Sequence, residues 1–169
     1  MTRFRHAPIA RLEALAPFSR DHYVGLVQAR HLVKAAGADD VARRKALSEF
    51  LDAWDSDIAA HFHDEERLLA DLAAPEDRQR LLAEHQRLMG LADKARRLHR
   101  EIDPGPATLR EIGQALEAHI RWEERHLFQR LQDRLSPEQL ASLGIQTAAI
   151  EQARPRNIDR KHHCEGDRR

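Results

Sequence analysis

Apolar residues recur along this chain at steps of three and four, the period of an amphipathic α-helix. Nowhere do they alternate with polar residues for long enough to mark a strand. Leu47, Leu51, Trp54, Ile58, His61, Glu65, Leu68 and Leu72 form one such stripe; Leu109, Ile112, Leu116, His119, Glu123, Leu127 and Leu131 form another. Shorter stripes run through His22, Leu26, Ala29 and Val33, and through Leu81, His85, Leu88, Ala92 and Ala95. Stop and start signals separate them. Ser19 can cap a helix that ends near Ala36 before Gly37, and Asp39 or Asp40 a second that ends near Leu72. Pro75, Glu76 and Asp77 open a third helix running to about Glu101, which Asp103-Pro-Gly-Pro terminates. A fourth spans about Thr108 to Leu135. Ser136-Pro-Glu-Gln139 has the capping-box pattern and opens a fifth to about Gln152. Short loops between long helices make neighbours antiparallel. The expected fold is therefore all-α: an up-down-up-down four-helix bundle with a short fifth C-terminal helix and a disordered tail. The expected divisions are an arm at residues 1–17, the bundle at 18–135, the C-terminal helix at 136–152 and a polar tail at 153–169.

Composition narrows the function classes. The chain has 169 residues, enough for one domain with a real core and little more. Its 28 basic residues balance 28 acidic ones, which argues against nucleic acid as a partner. With 33% charged residues, no stretch is apolar enough to span a membrane. The first residues, Met-Thr-Arg-Phe-Arg-His, lack the apolar run of a secretion signal, so the expected location is cytoplasmic. Cys164 is the single cysteine, which rules out an internal disulfide and any multi-cysteine metal site. Histidine, at 11 residues, is in excess, and its positions direct the functional reading.

Two members of the second stripe, His61 and Glu65, and two of the fourth, His119 and Glu123, stand where leucine would otherwise go. Each pair is spaced i, i+4, so both side chains leave one face a turn apart. His85 lies within the third stripe and His22 near the start of the first. In an antiparallel bundle rising roughly 1.5 Å per residue, all six reach one height. A buried glutamate without a partner is costly, and metal coordination removes that cost. Four imidazoles and two carboxylates are too many for one tetrahedral zinc, and they include no thiolate. Such a set suits paired iron or manganese, with each ion taking two histidines and the carboxylates bridging. A bridging hydroxide or oxide would balance further charge and leave coordination positions open.

The blocks Ser19-Arg-Asp-His-Tyr, His61-Phe-His-Asp-Glu-Glu, Glu84-His-Gln-Arg-Leu and His119-Ile-Arg-Trp-Glu-Glu-Arg-His-Leu-Phe resemble the hemerythrin-like (HHE cation-binding) domain family. The resemblance covers about residues 18–135. It implies a non-haem centre of two iron ions bridged by oxo or hydroxo, with His22, His61, Glu65, His85, His119 and Glu123 as the matching ligands. Iron fits this set better than zinc or manganese. Oxygen-carrying members have a further histidine on the third helix where this chain has Leu81. They also place the second bridging acid five residues after the histidine, which would be Glu124. The set found here is closer to that of bacterial repair-of-iron-centres proteins, although those carry a cysteine-containing N-terminal region where residues 1–17 here include no cysteine. The resemblance implies binding or sensing of oxygen, nitric oxide or peroxide, or a part in the iron and redox stress response. A di-iron enzyme consuming peroxide or nitric oxide, an iron donor for damaged centres, and a metal-stabilised interaction module are the alternatives.

The remaining candidates have blander expectations. Glu124 is offset by about 140° from His119 on a regular helix, so it is expected to face away from the core and behave as surface. His63 and His31 lie on the faces opposite His61 and His22 and should be solvated. His126 is two turns beyond His119, and His99 lies roughly 21 Å along its helix from His85. Tyr23 could line the pocket or pack, Phe50 and Trp54 should fill core, and His162-His-Cys164 in the tail is an incidental cluster.

Overall fold

The computed structural model describes residues 12–101 and 104–154. Five helices carry the fold, and no strand occurs among the described residues. Helix α1 spans Ala16–Ala35. Helix α2 covers residues 40–69 as α-helical Asp40–Ala53, a π turn at Trp54–Ile58 and α-helical Ala59–Leu69. Helix α3 is Pro75–Glu101. Helix α4 covers residues 106–134 as Pro106–Trp122, a π turn at Glu123–Leu127 and Phe128–Arg134. Helix α5 is Pro137–Ala153. None of these is long and apolar enough to cross a membrane. The expected tail from residue 155 onward, with His162-His-Cys164, lies outside the described residues.

Local chemistry explains most boundaries. Asp39 caps α2, its carboxylate accepting from the Ala42 amide at 2.8 Å. Ser136 and Gln139 form the reciprocal capping box of α5. Gly105 has φ +71°, a conformation that favours glycine, and Pro106 follows it in the first turn of α4. Helix α1, however, does not begin at a Ser19 cap. It starts at Ala16, because Pro17 fits a first turn and burial of Leu15 and Phe18 draws that turn into the core.

The apolar residues fall into two clusters. One contains Ala29, Leu32, Leu47, Phe50, Trp54, Ile58, Leu88, Ala92, Ala95, Leu109, Ile112, Leu116 and Ile120. The other contains Leu15, Phe18, Leu68, Leu69, Leu81, Trp122, Leu127, Phe128, Leu131 and Leu143. Along α1 and α3 the second cluster comes first in sequence; along α2 and α4 the order is reversed. That reversal is the antiparallel topology, written in the core itself. On α1 to α4 the candidate ligands sit at the changeover: His22 between Phe18 and Ala29, His61 and Glu65 between Ile58 and Leu68, His85 between Leu81 and Leu88, and His119 and Glu123 between Leu116 and Leu127. Helices α1 and α4 approach closely, since a Cβ on Gly113 would lie 2.7 Å from the Ala29 carbonyl oxygen. The packing stripe of α1 thus runs through His22, Gly25, Ala29 and Leu32, and Val33 is exposed. Helix α5 lies on α1, with Leu143 and Thr147 buried and the Thr147 hydroxyl donating to the Ala14 carbonyl at 3.0 Å.

Candidate metal centre

The layer between the two clusters contains His22, His61, Glu65, His85, His119 and Glu123, none more than 5% exposed. Their ligand atoms form two groups, each with all atoms within 4.8 Å of one another: His22, His61, Glu65 and Glu123, and Glu65, His85, His119 and Glu123. Both glutamates belong to both groups. Glu65 shows why, since Oε1 lies 3.2 Å from His61 Nε2 and 3.4 Å from His22 Nε2, while Oε2 lies 3.5 Å from His85 Nε2. Glu123 Oε2 lies 3.1 Å from His22 Nε2 and 3.3 Å from His119 Nε2. The Nε2 atoms of His85 and His119 face each other at 3.1 Å.

These separations suit ligands sharing a cation. Bonds of about 2.0–2.2 Å to a first-row ion place neighbouring ligand atoms roughly 3.0–3.5 Å apart. Without an ion the layer is poorly satisfied. His22 Nε2, both nitrogens of His61 and all four oxygens of Glu65 and Glu123 are buried without a hydrogen-bond partner among the described residues. Buried polar atoms of this kind cost about 1–3 kcal/mol each, more when charged. The donor set and its orphaned atoms therefore fit a pair of metal ions.

In the metal-free chain the groups hold one another charged. Burial by itself would lower the His22 pKa, but the carboxylates of Glu123, Glu124 and Glu65 around the ring outweigh that and keep it well above 6.5. Burial likewise opposes protonation of His85, which the nearby carboxylates of Glu123 and Glu65 push up to about 10. Burial would lower His61, and the Glu65 charge with Asp21 raises it. Glu65 is held well below 4.5, burial being overcome by the His61 charge and by the nearness of the His22, His61 and His85 imidazoles. For Glu123, burial and the Glu65 charge act upward, and His119, His22 and His85 still bring it below 4.5.

A ring of outer carboxylates surrounds the layer. His22 Nδ1 lies 2.7 Å from Glu124 Oε1, His85 Nδ1 2.9 Å from Glu66 Oε1, and His119 Nδ1 2.9 Å from Glu84 Oε2. An ionised carboxylate can only accept, so Nδ1 donates and Nε2 is left to face the centre. Arg80 donates to Glu84 at 2.7 Å and lies 4.4 Å over the Trp122 ring, steadying that carboxylate from outside. Aromatic rings fill the gaps. Phe62 stacks on His85 at 4.0 Å between centroids, and Phe128 on His22 at 5.5 Å.

The structure brings all six sequence candidates into one layer. It corrects the reading of Glu124 as surface, because its carboxylate turns to His22. Glu66 makes the equivalent contact from regular α-helix, so side-chain reach rather than the π turn at Glu123–Leu127 accounts for this. Tyr23 neither lines the site nor packs, being 63% exposed. His31, His63, His99 and His126 are exposed. Phe50 and Trp54 are core. The outer acids had a signal that periodicity does not weigh: a second glutamate after each His-x-x-x-Glu, and an acid immediately before His22 and His85.

Comparison with known proteins agrees with this geometry. The Hemerythrin HHE cation binding domain matches residues 23–131, a span that includes five of the six layer residues and begins one residue after His22. Neither a curated protein nor a solved structure matches the chain. With well over half its length matched and a buried His/Glu cluster able to hold metal, the chain belongs to the hemerythrin HHE cation-binding family.

Proposed function

We propose that the chain is a non-haem di-iron protein whose centre binds or senses a small ligand: oxygen, nitric oxide or peroxide. In this reading His22 and His61 hold one ion, His85 and His119 the other, and Glu65 and Glu123 bridge. The observation that carries it is the sharing of both glutamates between two otherwise separate histidine pairs. Two histidines and two shared carboxylates supply each ion with four donors, fewer than the six that octahedral iron accepts, so room remains for an exogenous ligand. Bound iron would supply that ligand with redox and Lewis-acid chemistry.

The chain's own residues shape that room. Leu81 is fully buried one turn before His85, adding apolar wall where a further imidazole would add a donor. Phe18, Phe62 and Phe128 keep bulk water from the layer, which strengthens charge interactions within it. The metal-binding unit in this reading is residues 18–135, and the location is cytoplasmic. Its donor set supports kinship with the repair-of-iron-centres type over the oxygen carriers.

Anaerobic purification followed by metal analysis tests the proposal. The expected result is about two irons per chain, with bridge-to-iron charge-transfer absorption appearing in air. One tightly bound zinc and no iron would overturn it. Turnover of peroxide or nitric oxide beyond one equivalent per centre would replace a sensor with an enzyme.

A further inference from the structure

The layer is built twice from the same short pattern. Helix α1 carries Asp21-His22 and α2 carries His61-Phe-His-Asp-Glu65-Glu66; α3 carries Glu84-His85 and α4 carries His119-Ile-Arg-Trp-Glu123-Glu124. In each half the first glutamate enters the layer. The second reaches across to the other half, Glu66 to His85 and Glu124 to His22. The acid that precedes the histidine of α1 or α3 then turns to the histidine of its partner helix. In the α3–α4 half this succeeds, with Glu84 Oε2 at 2.9 Å from His119 Nδ1. In the α1–α2 half the corresponding residue is Asp21, one methylene shorter. Its Oδ2 stops 3.7 Å from His61 Nδ1, which has no hydrogen-bond partner among the described residues. Three imidazoles are locked at Nδ1 and one is not.

The rings around them are matched in the two halves, so they do not set the positions apart: Phe62 stacks on His85 and Phe128 on His22, while His119 meets Phe62 edge-on at 5.2 Å and His61 meets Phe18 edge-on at 5.8 Å. The difference lies in the outer acid. His61 is also the most exposed of the six, at 5%. An imidazole whose Nδ1 is unbonded can rotate and change tautomer, and so presents Nε2 less often in the geometry an ion requires. Loss of such an outer partner lowers metal affinity by about tenfold to a hundredfold.

We infer that the two metal positions are unequal: the His85–His119 position fills first and holds its ion, and the His22–His61 position fills second and exchanges. The gap between Asp21 and His61 is the cause, which makes Asp21 and Glu84 positioning residues. This rests on the two-ion reading of the layer.

The test is an equilibrium titration of the metal-free full chain with iron(II), under anaerobic conditions and against a chromophoric chelator. Ion–ion repulsion alone would weaken whichever ion enters second, so the assignment depends on which phase each substitution moves. Asp21→Glu supplies the missing methylene and is expected to tighten only the second phase, by about tenfold. Glu84→Leu should weaken only the first phase by a similar factor, and Glu84→Gln should restore part of it through its amide oxygen. Both positions are partly solvent-facing, and native helical content with a single cooperative unfolding transition in the metal-free variants verifies that the fold is intact. If Glu84→Leu moves the second phase, or Asp21→Glu moves neither, the inequality assigned here is overturned while two ions still bind. Saturation at a single ion would overturn the two-ion reading itself.

Discussion

The two apolar clusters of the bundle and the layer between them are buried to the same degree but are held together in opposite ways. In the clusters, leucine and phenylalanine side chains close-pack, and each contact is favourable whatever else is bound. In the layer, four imidazoles and two carboxylates have given up water for one another, and seven of their nitrogen and oxygen atoms find no hydrogen-bond partner among the described residues. Desolvation of buried ionic groups can exceed the attraction they regain. The clusters thus stabilise the fold, and the fold holds the layer in a geometry it would not keep by itself. A substitution in a cluster should cost stability and leave the ions. One in the layer should cost the ions first.

The largest expected effect tests the cluster side. Leu47 is fully buried away from the layer, and Leu47→Ala should lower unfolding free energy by about 2–5 kcal/mol. Urea denaturation should show a similar loss with and without iron, and metal analysis an unchanged iron content. A variant that loses iron while keeping its stability would break the comparison.

Next in size are the bridging acids. Glu65→Ala and Glu123→Ala are each expected to lose one or both ions. The metal-linked stabilisation goes with them, about 2.7–4 kcal/mol at iron concentrations 100 to 1,000 times the dissociation constant. Metal analysis and the iron-dependent shift in denaturation midpoint measure the two losses separately. Retention of two tightly bound ions by Glu65→Ala would remove the shared-carboxylate reading.

The layer also gives the metal-free protein a pH dependence that the clusters cannot give. His85 is raised from 6.5 to about 10, so its contribution is fully present below 6.5 and is lost as pH rises through about 10. Glu65 and Glu123 are lowered from 4.5, so theirs is present above 4.5 and lost as pH falls through the depressed values. The thermal midpoint of the metal-free chain should therefore be highest between about pH 4.5 and 6.5 and decline toward pH 10. Bound ions replace the imidazole protons, and the alkaline decline should then shrink. An alkaline decline of equal size with and without metal would place its origin outside the layer.

What could be read from the sequence divides along the same line. The stripes of α2, α3 and α4 predicted their buried faces because a helix turned to a core has few alternatives, and His61, Glu65, His119 and Glu123 were visible as breaks in those stripes. The π turns at Trp54–Ile58 and Glu123–Leu127 were not visible, since each adds one residue to a turn while apolar spacing of three and four continues through it. The start of α1 was misplaced because a polar cap at Ser19 competed with burial of Leu15 and Phe18, and burial won. The outer acids were missed for a different reason. Helical periodicity assigns each residue to one face, whereas a glutamate side chain spans the distance from the edge of one helix to an imidazole on the next.

Glu124 is where that last point can be tested, and where the comparison between cluster and layer is finest. Treated as ordinary surface, Glu124→Ala should change stability by no more than about 0.5 kcal/mol and leave iron binding alone. The structure gives it one specific task, accepting from His22 Nδ1 at 2.7 Å. Removing the acceptor leaves a buried donor unpaired, a cost of about 1–3 kcal/mol. It also leaves the His22 ring without its Nδ1 partner, held by Phe128 stacking and the edge of His61, and the ring should bind iron about tenfold more weakly. Glu124→Ala is therefore expected to keep two irons at saturation but to release one sooner on dilution, and Glu124→Gln to recover most of the difference. Glu123 is fully buried with both oxygens in the layer, so Glu123→Ala has no saturating condition that restores the bridge. If iron analysis instead finds Glu124→Ala empty and Glu123→Ala full, the bridging acid is the residue five positions after His119, as in the oxygen carriers, and the roles of the two glutamates exchange.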